Sequence, residues 1–364
     1  MRPVHSAPII LVSLLCLSAS HCSSSVSTSA GHRVSIVAYN VKSLFDATDD
    51  GAEFPEFSVA RGKWDDARYR IRLANAGAAV LATMPPSRGI PGPDVLCLEE
   101  IENGKVLEAL RAGPLSACRY RYAAIAPAEG GPFSVCALSR LPILGSACHA
   151  ASTPSGRVGR DILELDFDAG GWRLVLLACH WKSKSEGAAE TEEARREEAA
   201  LVRGRVAARM AADPGVELVV CGDFNESPDE YLRAGRRYAT ALMPVEEAVA
   251  GGGSAIAGGS RTARLLVAAT PGLTAPLDGE AVLYSPWERS GGYSYSYRGS
   301  RDRFDGFLLS PGLLDSSGLS FAGFAPASAS FLMDAEGVPV AWPGSGAAGY
   351  SDHLPILLLL EGRA

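Results

Sequence analysis

The apolar run Leu218-Val219-Val220-Cys221 ends abruptly in Gly222-Asp223-Phe224-Asn225-Glu226. A short apolar run closed by a turn signal reads as a buried strand. Asp223 and Asn225 stand two residues apart, so on an extended backbone their side chains point the same way and can face one substrate. Open α/β sheets bind ligands at the carboxyl ends of their strands. The same residues also suit a plain turn capping a core strand, and this stretch alone leaves both readings open.

Other strand ends repeat the pattern. Strands are predicted over residues 34–40, 94–98, 118–126, 134–139, 161–167 and 173–179, and over 293–297, 304–309 and 354–360. The first ends in Asn40, the second in Glu99-Glu100, and the run 173–179 in His180-Trp181-Lys182-Ser183-Lys184. Asp352-His353 stands just before the last strand. Acid, amide and imidazole at so many strand ends point to one convergent site. Helical spacing of apolar residues covers 61–81. Asn103 is placed to cap a short helix that runs through Ala112 and stops at Gly113-Pro114. Residues 188–210 read as a surface helix carrying opposite-charge pairs such as Glu192–Arg196. Strands and helices interleave, with many hairpin-type turns, which favours mixed sheets over a purely parallel one. Residues 243–292 are the least legible part, and their glycine runs mark a flexible excursion.

Composition narrows the class of protein. The 364 residues are 47% hydrophobic and 21% charged, as in an ordinary globular chain. A net charge of −7 argues against a nonspecific nucleic-acid coat, which needs a basic excess. It leaves room for an enzyme with a locally basic site or with acidic metal ligands. Met1-Arg2, the apolar stretch 8–17 and Ser18-Ala19-Ser20 read as a signal peptide over residues 1–22, too short to span a membrane. The approach to Cys22 is also similar to a bacterial lipoprotein signal, with an atypical His21, which makes a lipid anchor one way of meeting a membrane. The serine-rich 23–32 reads as a tether, and 33–364 as a single domain. The expected location is exported: periplasmic, at the outer envelope as a lipoprotein, or secreted. Of the eight cysteines, Cys97, Cys136, Cys179 and Cys221 lie in strand-like runs, where a free thiol behaves as a small hydrophobe. No cysteine–histidine cluster suggests zinc.

Six segments together carry a resemblance. They are Tyr39-Asn40-Val41; Pro93 through Asn103 with Glu99-Glu100-Ile101-Glu102 at its centre; Cys179-His180-Trp181-Lys182-Ser183-Lys184-Ser185; Gly222-Asp223-Phe224-Asn225; Arg303-Phe304-Asp305-Gly306; and Ser351-Asp352-His353-Leu354-Pro355. In this order and separation they resemble the endonuclease/exonuclease/phosphatase superfamily with its deoxyribonuclease I-like fold, and within it the exported bacterial nuclease-like members. The resemblance implies an α/β (α+β) fold, a four-layered sandwich of two mixed β-sheets flanked by helices. It also implies a metal-dependent phosphoric ester hydrolase using Mg2+ or Mn2+. Magnesium prefers oxygen ligands, often one or two carboxylates plus substrate phosphate.

By the resemblance, Glu100 is the direct metal ligand, Asn40 orients Glu100 or the ion, and Asp352 sits near the ion. His353 is the general base or the group that stabilises the phosphorane, oriented by Asp305. Asp223 and Asn225 position the attacking water and a phosphoryl oxygen, and His180 contacts the phosphate or protonates the leaving group. Arg160, Lys182 and Lys42 are expected at the substrate phosphates. Lys42 departs from the family, which often has an acid or amide there. A lysine cannot ligate a cation, so a second metal at that position is not expected.

The fold alone does not choose a substrate. The basic residues of the matched segments suit a phosphate backbone, so the expected function is an exported Mg-dependent phosphodiesterase acting as a monomer on DNA or RNA. The alternatives are a sphingomyelinase or an inositol-phosphate or phosphoinositide phosphatase, and an inactive surface binding protein. For a lipid substrate, the aromatic segment 293–297 and Trp287 would form a lipid-facing edge, though a sheet face is the simpler expectation.

Overall fold

The computed structural model describes residues 32–87, 89–126, 131–153, 156–250, 263–344 and 348–363. The expected signal peptide and tether, apart from His32, lie outside the described residues. Residues His32–Ala364 pack as one compact unit. The chain opens with β1 (Arg33–Leu44), β2 (Val95–Ile101), β3 (Tyr122–Ala126) and β4 (Ser134–Ser139). It continues through β5 (Ile143–Thr153), β6 (Gly156–Asp168), β7 (Arg173–His180), β8 (Glu217–Asp223), β9 (Leu242–Pro244), β10 (Leu265–Ala268) and β11 (Val282–Tyr284). A two-stranded ribbon, β12 (Tyr295–Tyr297) and β13 (Ser300–Asp302), leads to β14 (Asp305–Leu309), β15 (Gly318–Pro326) and β16 (Ile356–Arg363). The longer helices are α1 (Asp66–Leu81), α2 (Gly104–Ala112) and α3 (Glu192–Ala212).

These strands make two mixed sheets. One runs β15-β16-β1-β2-β4-β3, the other β5-β6-β7-β8-β14-β11-β10-β9. Strand alternation explains the layering, because successive side chains point to opposite faces. From β1, Val34, Ile36 and Ala38 join Leu176 and Ala178 of β7 and Phe307 of β14 in the core between the sheets. The alternate residues Val37 and Tyr39 pack outward with Ala76 and Val80 of α1 and Leu107 of α2. On the far side, Leu177 and Val220 pack against Ala199 and Val202 of α3. The result is helix, sheet, sheet, helix, the expected four-layered sandwich. Cys97, Cys136, Cys179 and Cys221 are free and buried in it. No described helix is long and apolar enough to cross a membrane.

Several local expectations need correction. The strand expected from 118 starts at Tyr122, because Ser116–Cys118 is a 3-10 turn. α1 starts at Asp66, where Asp65 caps it by accepting from the Arg68 N–H, so Trp64 precedes the helix. Residues 143–153, with no clear pattern of their own, form β5 and pair with β6. The stretch 243–292 supplies most of β9, all of β10 and β11, and so widens the second sheet; its glycine-rich part, 251–262, lies outside the described residues.

The Glu192–Arg196 surface pair does not form. Glu192 is buried and bonds Arg195 at 2.7 Å through one oxygen and the Ala241 N–H at 2.7 Å through the other. Arg196 instead donates to the Ala263 carbonyl. Arg195 is fully buried; besides Glu192, it bonds Thr191 and the carbonyls of Ala188 and Lys182, and it pairs with Glu226 at 3.4 Å. Glu226, in turn, accepts from the Leu242 N–H at 2.6 Å. The last carboxylate of the Gly222–Glu226 stretch is therefore a structural clamp between α3 and β9. Removing one member of a buried ion cluster leaves an uncompensated charge. Arg195→Ala is expected to cost about 3–5 kcal/mol, read from the shift in the urea unfolding midpoint.

Candidate active site

Sheet register assembles the site. In the second sheet His180 of β7 stands directly opposite Asp223 of β8, and Asp223 stands opposite Asp305 of β14. Ladder partners share a face, so the three side chains form a row facing the first sheet. There, Asn40 of β1 is paired with Glu99 of β2. A regular strand would send Glu99 and Glu100 to opposite faces. Glu100 instead takes φ 61°, and the β1–β2 register slips after Asn40. Lys42 and Ser43 (φ 53° each) and Asn225 (φ 49°) share this left-handed conformation. Four of the eight non-glycine residues with positive φ among the described residues are thus at this one place. Each costs roughly 1–3 kcal/mol and persists only where the surroundings impose it, a pattern typical of functional sites.

Gly222 is required by packing. Its φ is 125°, and a Cβ there would sit 2.0 Å from the Cys179 carbonyl oxygen and 3.0 Å from Glu99 Oε1. Only glycine tolerates both the angle and the approach.

The polar groups converge closely. Asn40 Nδ2 donates to Glu100 Oε1 at 3.1 Å and to Asp223 Oδ2 at 2.9 Å. Ser43 holds the other Glu100 oxygen through its N–H at 2.7 Å and its hydroxyl at 3.1 Å. His180 Nε2 lies 3.7 Å from Asp223 Oδ2 and 3.9 Å from Glu100 Oε1. His353 Nδ1 bonds Asp305 Oδ2 at 2.8 Å, and its Nε2 lies 3.8 Å from Asp223 Oδ2. Asn225 donates its N–H to Asp223 Oδ1 at 2.8 Å and its amide to the Trp181 carbonyl at 3.0 Å. Asp352 is ion-paired to Lys42.

Charge in this site is unevenly distributed. Burial disfavours a charged His353, but the Asp305 and Asp223 carboxylates outweigh it and raise its pKa to about 10. Burial and nearby Asp305 push Asp223 up to about 6, against the pull of His353. Burial, with the charges of Arg160 and His353, drives His180 well below its ordinary value, so it is neutral. His353 and Lys42 hold Asp352 down against its burial.

A divalent cation fits one side of this arrangement. Ligand atoms of Asp223, Asp305 and His353 lie within 4.8 Å of one another. However, a protonated imidazole has no lone pair to offer, and Asp305 is engaged by it. The hard-oxygen set is the carboxylates of Glu100, fixed at both oxygens, and Asp223, held together by the Asn40 amide that donates to both. A carboxylate as crowded as Asp223 is the observation that favours a cation there.

The expected substrate contacts Arg160, Lys182 and Lys42 have partners within the chain. Arg160 donates Nη1 to the carbonyls of His180 (3.4 Å) and Trp181 (3.3 Å), which fixes the end of β7. Lys182 pairs with the exposed Glu186 at 2.8 Å. Trp287 is no lipid-facing residue: it is 1% exposed and donates Nε1–H to the Asp305 carbonyl at 2.9 Å. Tyr295 stacks on Phe304 at 5.0 Å and lies 4.6 Å from the His353 ring, so this tyrosine packs on the site, while Tyr297 is exposed.

Residues missed from sequence are Ser43, Arg72, Ser351 and Glu99. Arg72, on α1, donates to the carbonyls of Val41, Lys42 and Tyr350. Ser351 donates to the Asn40 carbonyl at 2.7 Å. Glu99 is fully buried with both oxygens unpartnered, and burial raises its pKa well above the usual range. A signal for it existed: it continues the inward-facing alternation of Val95 and Cys97.

Residues 35–237, more than half of the chain, match the family model described as the Endonuclease/Exonuclease/phosphatase family. The chain belongs to this family. It is therefore a phosphoric ester hydrolase, of a family that depends on a divalent metal. Among solved structures it is similar to truncated Caenorhabditis elegans TDP2, at 14% identity and a TM-score of 0.51, covering 91% of this chain and 98% of that one. It is equally similar to an endonuclease/exonuclease/phosphatase from Bacteroides vulgatus, at 15% identity and a TM-score of 0.51, covering 91% and 99%. At these identities the likeness is one of fold. No curated protein matches the sequence.

The His353 shift makes a sign-definite prediction. A group with a raised folded-state pKa stabilises fully below its unfolded value and loses that contribution as pH rises through the folded value. In chelator, the melting temperature of the wild type should fall between about pH 6.5 and about pH 10. His353→Gln should flatten that limb. An unchanged slope in the variant would contradict the placement of His353 between Asp305 and Asp223.

Proposed function

We propose that this chain is an exported magnesium-dependent phosphodiesterase whose substrate is nucleic acid, DNA or RNA, acting as a monomer. The observation that carries the reading is His353, bonded to Asp305 at 2.8 Å and facing Asp223 at 3.8 Å, beside a Glu100 fixed at both oxygens. Glu100, with Asn40 orienting it and Asp352 nearby, would hold the cation. When bound, such an ion neutralises charge building on the phosphoryl oxygens.

The remaining roles follow from charge. His353, kept protonated, suits stabilisation of the phosphorane by hydrogen bonding better than proton abstraction. Asp223, with a pKa of about 6, can accept a proton from an attacking water near neutral pH. Asn225 fixes the Asp223 carboxylate through its main-chain N–H. Neutral His180 can donate from Nε2 to a phosphoryl oxygen without adding charge. Lys42 and Arg160 supply positive potential at the rim. Nucleic acid is favoured over lipid because Trp287 and Tyr295 pack inward, leaving Tyr297 as the exposed ring of that segment, and the rim carries charged side chains. Export rests on the character of residues 1–22.

A substrate panel tests the reading: plasmid DNA, RNA, sphingomyelin and inositol phosphates, each with magnesium and then with chelator. Magnesium-dependent cleavage of nucleic acid is expected, and lipid turnover without nucleic-acid cleavage would overturn it. On the preferred substrate, His353→Ala and Glu100→Gln should each lower kcat by about a hundred-fold or more while the circular dichroism spectrum stays native. Near-normal turnover in either would remove that residue from the mechanism.

A further inference from the structure

A phosphodiester carries a group on each side of its phosphorus, so the cavities bordering the site bear on what those groups are. One cavity, of about 320 Å3, is lined by Lys42, Ser43, Phe57, Arg72 and Trp342, together with Glu56. One wall is the irregular end of β1 that borders the site. Ser43 holds Glu100 at 2.7 Å, and Lys42 pairs with Asp352, the neighbour of His353. Arg72 stacks its guanidinium on the Trp342 ring, 5.5 Å from the centroid. Aromatic faces, a stacked guanidinium and a few hydrogen-bonding groups are what a planar, polar-edged heterocycle requires. An acyl chain in the same space would desolvate Lys42 and Glu56 with nothing in return. The volume lies near the lower end for small-molecule sites, enough for one nucleoside and too little for a stacked base pair.

A second cavity, of about 280 Å3, has an apolar floor that includes Leu232, Val267 and Trp287, but its charged lining residues are Asp229, Glu246, Glu247 and Glu288. Glu247 and Glu288 are paired with Arg236 and Arg303, but Asp229 and Glu246 keep the lining acidic, and carboxylates repel a phosphate backbone. The two cavities therefore differ in sign, and the nucleotide side of the substrate falls to the first.

We propose that the cavity between Lys42 and Trp342 binds one unpaired nucleoside adjoining the scissile phosphate, so that single-stranded or frayed nucleic acid is cleaved in preference to intact duplex. This rests on the phosphodiesterase reading above. A base held in a duplex would have to leave its stack to enter.

The test compares the thymidine 5′- and 3′-(p-nitrophenyl phosphate) esters with methyl p-nitrophenyl phosphate, all with magnesium. The leaving group is the same, so the ratio of kcat/KM isolates the nucleoside. One thymidine ester should exceed the methyl ester about tenfold or more, a contribution of about 1.4 kcal/mol. Trp342→Ala should lower that ratio at least fivefold, chiefly through KM, and Trp342→Phe should restore most of it. Phe57→Leu, which trims another wall, should lower it as well, and this keeps the test decisive if Trp342→Ala does not fold. A wild type that hydrolyses the esters with no nucleoside preference, or a preference that survives these variants, overturns the cavity assignment alone. Failure to hydrolyse any of the esters overturns the phosphodiesterase reading, and the assignment falls with it.

Discussion

Everything chemical in this molecule depends on strand register. His180, Asp223 and Asp305 act together only because β7, β8 and β14 pair so that the three stand in one row. Side chains alternate with a period of two, so a one-residue slip of β14 against β8 would turn Asp305 to the wrong face. The register is protected by what lies along the same strands. Val219, Cys221, Phe307 and Leu309 fill the inter-sheet core, and a slip would expose them to the helix layer. The hydrophobic core and the site are therefore specified by the same alternation, read at different points of the same strands.

The first sheet meets that row by breaking its own regularity. Glu99 and Glu100 are consecutive, yet both serve the interior: one is buried behind the site, the other turned back into it by a left-handed φ. The conformational cost is offset by bonds that exist only in this geometry, notably those of Ser43 and Asn40 to Glu100. Rigid carboxylates of this kind suit ion binding, because little ordering remains to be done when the ion arrives.

Much of this was legible in the sequence, for identifiable reasons. Asn40, Glu100, His180, Asp223, Asp305 and His353 are polar residues at or near strand ends, where polarity stands out against apolar runs, and the structure brings all six together. The layered fold was legible from the interleaving of strands and helices. What stayed hidden depends on three-dimensional partners. Residues 188–210 read as a surface helix because nothing local reveals that Arg195 of α3 is buried against Glu226 at the end of β8. Glu192 bonds at i+3 instead of i+4 because Ala241, far along the chain, claims its other oxygen. The left-handed residues Lys42 and Ser43 carry no glycine to announce them. Trp287 and Arg160 kept the residue types expected near a substrate, but their hydrogen bonds go to main-chain carbonyls, so they brace the site.

Arg72 gives the outer layer a part in all this. It belongs to α1, on the far side of the first sheet from the carboxylate row, yet its one guanidinium grips Val41 and Lys42 at the irregular end of β1 and Tyr350 on the loop that carries His353. The two halves of the site come from opposite ends of the chain, and this single side chain ties them together across the sheet's rim. Helix α1 thus works as a mechanical linkage as well as a cover. A sequence change that tilts or slides it would move the metal-side loop and the histidine loop in concert, which gives remote substitutions in α1 a direct route to the chemistry.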